Sequence, residues 1–201
     1  MPAIGITGGI ATGKSAFTET LRTLLPAATF FDADQAAHDL TARDAEVRRL
    51  IEDTFGADIY SAEGHLNRAA LRTIVFADPG KKQALEQILH PRIRRQWAVQ
   101  AESRRESTEL FLADIPLLYE TGGETLCDRL VVLACSRHIQ LQRLMARSSL
   151  SHDAAEQIIG AQMPLADKIA RADHVVWNNG PRAVLAAQAE TLAAAWQGEQ
   201  R

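Results

Sequence analysis

Ile4-Gly5-Ile6-Thr7-Gly8-Gly9-Ile10-Ala11-Thr12-Gly13-Lys14-Ser15 is the stretch that decides the fold. A β-branched apolar run stops at a glycine pair, and Gly8 to Ser15 matches G-x-x-x-x-G-K-[ST] at each fixed position. Glycines permit backbone conformations that a side chain would block, so successive N–H groups can converge on an anion. The spacing predicts a phosphate cradle made by Gly8, Gly9, Ile10, Ala11, Thr12, Gly13, Lys14, Ser15 and Ala16. Lys14 brings a cation to the β- and γ-phosphates, and the Ser15 hydroxyl is placed to hold Mg²⁺ between them. A helix beginning near Gly13, with Phe17, Leu21, Leu24 and Leu25 on its apolar face, turns its positive end toward the same anion. An ordinary glycine-rich turn would not need the strand before it and the amphipathic helix after it; both are present.

Working outward, short apolar runs predict strands at Ala3–Thr7, Thr29–Asp32, Leu110–Asp114, Arg129–Ala134 and His174–Trp177. Most lack alternation, as in a parallel sheet covered on both faces. Helical stretches separate them, so the expected fold is α/β: a doubly wound, P-loop NTPase-type parallel sheet of about five strands. The stretch between the second and third strands is far longer than one crossover needs. It reads as helices at Asp44–Phe55, Asn67–Phe76, Lys81–Leu89 and Pro91–Ser107, an insertion over residues 36–107 that would cover an acceptor. Residues 136–171 read as a lid whose arginines, Arg143 and Arg147 on one helix face, close on the phosphates. The core is then residues 1–35, 108–135 and 172–201.

Composition narrows the class. The chain has 201 residues, 46% hydrophobic and 23% charged, with a formal net charge of −3. Nothing in that balance suggests a nucleic-acid partner. No apolar run is long enough for a membrane span, and the start lacks the basic-then-apolar pattern of a secretion signal, so the expectation is a cytoplasmic protein. Two cysteines, Cys127 and Cys135, make neither a disulfide framework nor a metal cluster and are expected as buried thiols. Oligomeric state is open between a monomer and a small homo-oligomer.

Carboxylates supply the chemistry. Phe30-Phe31-Asp32-Ala33-Asp34 puts two acids beyond the end of the second strand, at the edge where open α/β sheets bind ligands. One of them can take a proton from an acceptor hydroxyl, or Asp34 can simply cap the next helix. Asp114 ends a Walker-B-type strand, with a water-mediated or indirect link to Mg²⁺ favoured over direct coordination. His90, before Pro91, is expected at a helix N-cap inside the insertion. Asp53-Thr54-Phe55-Gly56 spells D-x-x-G but closes a helix, and Asn178-Asn179-Gly180-Pro181 is no guanine signature, so a kinase is favoured over a GTPase switch.

The ordered set of motifs resembles the dephospho-coenzyme A kinase family. It comprises Ile6-Thr7-Gly8-Gly9-Ile10 with Gly13-Lys14-Ser15; Asp32-Ala33-Asp34; Gly64-x-Leu66-x-Arg68-x-x-Leu71; Leu89-His90-Pro91; and Ile115-Pro116-Leu117-Leu118-Tyr119-Glu120. Further along come Gln142-Arg143, Gln157 with Ala161-Gln162, and Ala172-Asp173 before Asn178-x-Gly180. The resemblance implies ATP as phosphoryl donor with Mg²⁺, and dephospho-coenzyme A as acceptor at its ribose 3′-hydroxyl. Asp34 would be the general base, with Lys14 and Arg143 stabilising the transferred group. Asn178 and Gly180 would lie against the adenine, and Asp34, Arg68, His90 and Glu120 on the acceptor side. Another small-metabolite or nucleotide P-loop kinase, and a nucleotide-dependent switch, are the alternatives. Four positions depart from the family: Ala11-Thr12 replaces Gly-Ser, Trp177 stands where aspartate is usual, and Tyr119 where phenylalanine is commoner. Ala11 is expected to adopt a backbone conformation ordinary for non-glycine residues.

Overall fold

The computed structural model describes residues 3–104, 107 and 109–198. The chain forms two compact units, one of residues 1–31 and 100–201, the other of residues 32–99.

The first unit is built on a sheet whose strands are β1 (Ala3–Gly8), β2 (Thr29–Asp32), β3 (Phe111–Asp114), β4 (Arg129–Ala134) and β5 (His174–Trp177). They lie in the order β2-β3-β1-β4-β5, with β1 parallel to β3 and β4, and β4 parallel to β5. All six β1 residues and all four β3 residues are buried, the signature of central strands covered on both faces. On one face α1 (Lys14–Leu24) and α9 (Arg182–Gly198) pack against the strands. Phe17, Leu21, Leu185, Ala189, Ala193 and Trp196 meet Ile4, Ile6, Leu112, Val131, Leu133 and Val176 there in the main core. The central position of β1 makes it the strand whose C-terminal end is hemmed in by neighbours, which fixes the loop that follows it. Three helices, α6 (Arg137–Ser148), α7 (His152–Gly160) and α8 (Leu165–Ala170), follow β4. The Ser136 hydroxyl accepts from Ile139 N–H and caps α6.

The second unit is helical: α2 (Ala33–Arg43), α3 (Ala45–Phe55), α4 (Arg68–Ala77) and α5 (Pro79–Glu102), the last running on into the first unit's sequence. Leu40, Val47, Ile51, Ile59, Tyr60, Leu71 and Ile88 form its core, and Tyr60 Oη donates to the Thr41 carbonyl at 2.9 Å. Asp44 and Asn67 cap α3 and α4 through their side chains. Gly56 closes α3 at φ +97°, so the D-x-x-G spelling is a helix terminus, as its sequence setting implied.

One expectation is corrected here. The residues around His90-Pro91 do not separate two helices; α5 is continuous for 24 residues with Pro91 inside it. A proline removes an N–H from the ladder and crowds the preceding turn. The missing N–H leaves the Gln87 carbonyl without its ladder donor, and in the adjoining turn Arg92 Nη1 donates to the Ile88 carbonyl at 2.9 Å. His90 is therefore a half-buried residue of the helix interior and not an N-cap.

Candidate active site

The loop between β1 and α1 is held by its carbonyl groups. Lys168 Nζ donates to Gly8 O (3.4 Å), Thr12 Oγ1 to Gly9 O (2.7 Å), and Gln140 Nε2 to Ile10 O (2.8 Å). Asn178 Nδ2 donates to Thr12 O (2.9 Å), and Phe17 N–H to Gly13 O (3.2 Å). Carbonyl oxygens engaged in this way present no negative end to an incoming anion. The Phe17 bond begins the helical ladder, so the N–H groups of Lys14, Ser15 and Ala16 belong to the first turn, which has no intrahelical acceptors. They form an anion site with the helix dipole behind it.

Gly13 is required at its position. Its φ is +96°, and a Cβ there would collide with Asn178 Nδ2. Gly8 is required by close approach, since its Cβ would stand 2.6 Å from the Leu133 carbonyl. Ala11 corrects a sequence expectation: its φ is +61°, in the left-handed region. That conformation costs a non-glycine residue about 1–2 kcal/mol. Its half-buried methyl packs with Ile10 and Leu141 against the Leu144, Ala155 and Ile159 cluster. Thr12 is wholly buried.

Charge is concentrated around the same loop. Lys14 Nζ is paired with Asp114, the residue that ends β3, and Thr18 Oγ1 donates to the other Asp114 oxygen at 2.8 Å. The Ser15 hydroxyl, on the first turn of α1, belongs to an exposed residue. Arg143 comes from α6, and its Nη1 lies 3.9 Å from where a Cβ on Gly13 would be. That nitrogen is buried and has no hydrogen-bond acceptor among the described residues, a donor aimed beside an anion cradle. Arg143 also lies near the Cys135 thiol, whose titration burial raises and the guanidinium's charge partly lowers.

Of the nucleotide-side residues predicted from sequence, Gly8 to Ala16, Asp114, Arg143 and Asn178 meet around this loop. Asn178 acts there through the Thr12 carbonyl. Gly180 follows in the same turn, and Asn179 Oδ1 accepts from Ser136 N–H at 2.7 Å, tying that turn to the start of α6. Trp177 is 45% exposed, with both its backbone groups bonded to the Gln188 side chain. Glu120 accepts from Met163 N–H at 3.0 Å and pairs with Lys168 at 2.8 Å, so its partners lie between α7 and α8 and on α8 itself.

The remaining acids and bases lie in the second unit. Asp32 is the N-cap of α2, its Oδ1 accepting from Gln35 N–H at 2.9 Å. The alternative that Asp34 caps that helix is thereby removed; Asp34 is exposed in its first turn. Arg68 Nη2 donates to Thr41 Oγ1 at 3.1 Å.

Sequence reasoning assigned no role to three residues that build the loop: Gln140, Gln162, whose Oε1 accepts from Ile10 N–H at 2.9 Å, and Lys168. The glutamines hold Ile10 by its two backbone groups, Gln162 at the N–H and Gln140 at the carbonyl. Gln140 carries no local signal beyond a polar residue on an amphipathic helix, and Gln162 entered only as part of the Ala161-Gln162 motif, without a role.

Residues 2–183 match the family model described as dephospho-CoA kinase. The chain belongs to the dephospho-CoA kinase family. A dephospho-CoA kinase of Symbiobacterium thermophilum is 41% identical over 198 residues, covering 98% of this chain and 81% of the relative. One of Anaeromyxobacter dehalogenans is 42% identical over 201 residues, covering 98% and 93%. Among solved structures, the dephospho-CoA kinase of Campylobacter jejuni superposes with a TM-score of 0.73 at 26% identity, covering 98% of each chain. Family membership thus agrees with the five-stranded sheet and the loop geometry, and sets the switch alternative aside.

Proposed function

We propose that this dephospho-CoA kinase family member transfers the γ-phosphoryl group of ATP to the ribose 3′-hydroxyl of dephospho-CoA. The observation that carries the donor side is the loop itself: carbonyls bonded away, first-turn N–H groups open, and the buried Arg143 nitrogen beside Gly13 without an acceptor. A phosphate chain supplies the acceptors these donors lack.

The protein's contribution is placement and charge, because the transition state of phosphoryl transfer is loose. Lys14 leaves Asp114 for the β- and γ-phosphates, and Arg143 neutralises charge on the transferred group. The Ser15 hydroxyl would hold Mg²⁺ and Asp114 would act on it indirectly, the ion supplying charge to offset that of the phosphates; an exposed hydroxyl and a buried carboxylate are the hard oxygen groups such a cation takes. Asp34 accepts the proton of the 3′-hydroxyl as it attacks. Arg68 and His90, in the helical unit, take the acceptor's remaining groups, and Glu120 serves that side through the lid segment it anchors. Gly180, beside Asn178, lies against the adenine. Exclusion of water by the lid, α6 to α8, keeps ATP from hydrolysis.

The test is an ADP-release assay with ATP and Mg²⁺, offering dephospho-CoA beside AMP, CMP and buffer alone. Release that depends on dephospho-CoA, with a 3′-phosphorylated product, is expected. Release that depends only on a nucleoside monophosphate moves the acceptor side to another class and ends the assignment of Asp34 to a ribose 3′-hydroxyl.

A further inference from the structure

Lys168 is a fully buried lysine, 0% exposed, in the six-residue helix α8 of the lid. An ammonium taken out of water persists only where its donors are satisfied and its charge is met. Here each of its three donors has a place: Gly8 O at 3.4 Å, Pro116 O at 3.3 Å and Glu120 Oε1 at 2.8 Å. Two of those acceptors are shared. Pro116 O also accepts from Thr7 Oγ1 at 3.0 Å, and Glu120 Oε1 also accepts from Met163 N–H at 3.0 Å. One cation therefore joins the last two residues of β1, the turn after β3, and the segment that leads into α8.

We propose that Lys168 is a positioning residue for phosphoryl transfer, holding the Gly8 carbonyl outward at the entrance of the phosphate loop and coupling that loop to the lid. Gly8 is where β1 becomes the loop, and it is closely surrounded: a Cβ there would stand 2.6 Å from the Leu133 carbonyl and 2.9 Å from Thr12 Oγ1. Turning the Gly8 carbonyl inward would set a negative dipole toward the phosphates and shift the donors that follow. The lid helix carries the cation, so a lid displaced from the core also releases the loop. This inference rests on the kinase reading above.

The decisive comparison is Lys168→Met, which keeps length and apolar stem but removes the charge. Circular dichroism establishes that it folds. ADP affinity by calorimetry, kcat, and KM for dephospho-CoA are then compared with the unaltered chain. The expected result is a kcat lowered about 10- to 100-fold and ADP affinity lowered about tenfold, with KM for dephospho-CoA within about twofold, because the loop and not the acceptor side is disturbed. Glu120→Gln, which removes only the counter-charge, is expected to move the same constants in the same direction and by less. If Lys168→Met does not fold, Glu120→Gln decides on kcat and ADP affinity alone, since Glu120 also serves the acceptor side. Normal kcat and ADP affinity in a folded variant that merely melts earlier would overturn the proposal and leave Lys168 as an element of stability. Should the unaltered chain fail to use dephospho-CoA, the kinase reading falls, while the ADP comparison still judges the hold of Lys168 on the loop.

Discussion

Replacing Asp114 by asparagine separates two effects that a less conservative change would merge. Asparagine keeps the shape and still accepts from Thr18 Oγ1, but it removes the carboxylate that faces Lys14. The side chains of the pair are 14% and 7% exposed, so the ammonium left behind is largely but not wholly desolvated. Removing one partner of a fully buried pair costs about 3–5 kcal/mol. Since Lys14 can swing its head toward solvent, roughly half of that, about 2 kcal/mol, is the expected loss of stability. For a chain of this size each kcal/mol lowers the melting temperature by about 2–4 °C, giving a fall of about 4–8 °C. The same substitution should strengthen binding of ADP without Mg²⁺, because Lys14 no longer has to leave a carboxylate and the phosphates no longer face one. About 1.4 kcal/mol of relieved competition is a tenfold gain. Differential scanning calorimetry and titration calorimetry measure the two quantities on one preparation. The opposite signs are the prediction. A variant with unchanged melting temperature and weaker ADP binding would show that Lys14 does not rest on Asp114, and the account of the Lys14–Asp114 pair would fail.

Three further outcomes are expected. Asp34→Asn should lower turnover by about 10²–10⁴ with ADP affinity intact, as for loss of a general base, whereas Asp32→Asn, which preserves the α2 cap, should change it little; the reverse pattern in steady-state assays would exchange their roles. Gly13→Ala forces a side chain into the left-handed region and against Asn178, breaking its bond to Thr12 O. A stability loss of about 2–3 kcal/mol in urea unfolding should accompany at least a tenfold loss of ADP affinity, and an unperturbed variant would contradict the loop geometry. Burial pushes the Cys127 thiol from 9.0 to about 12, helped by the nearby Asp128 and Glu124. The unfolded chain then releases that proton first, so stability is lost as pH rises from 9 toward 12, at up to about 1.4 kcal/mol per pH unit. Cys127→Ala should flatten the fall in urea-derived stability between pH 8 and pH 10.5; an identical slope would remove the thiol from the balance.

What was legible in the sequence was what local chemistry dictates. The strand leading into Gly8, the glycine at 13 and the helices beginning at Asp44 and Asn67 each follow from residues within a few positions of one another. Pro91 was misread because the rule that proline ends a helix considers the ladder alone, whereas α5 runs through it unbroken for 24 residues. Ala11 was misread for a different reason. The motif fixes the path of the loop, and the chain accepts a strained alanine on it instead of changing the path. Lys168 was invisible because its backbone acceptors are 160 and 52 residues away; within its own helix it reads as one more surface lysine. Long-range polar closure leaves no periodic trace.

The Gln188 side chain has an effect on how the sheet ends. β5 is an edge strand, and the N–H and C=O of Trp177 are occupied at 3.0 and 2.9 Å by the primary amide of Gln188, which stands in for the peptide of a sixth strand. An unpaired edge is a template on which another chain can add a strand and begin to aggregate. At Trp177, beside one of the largest exposed apolar side chains of the molecule, that template is already filled, so a foreign strand has to displace an intramolecular partner before it can dock.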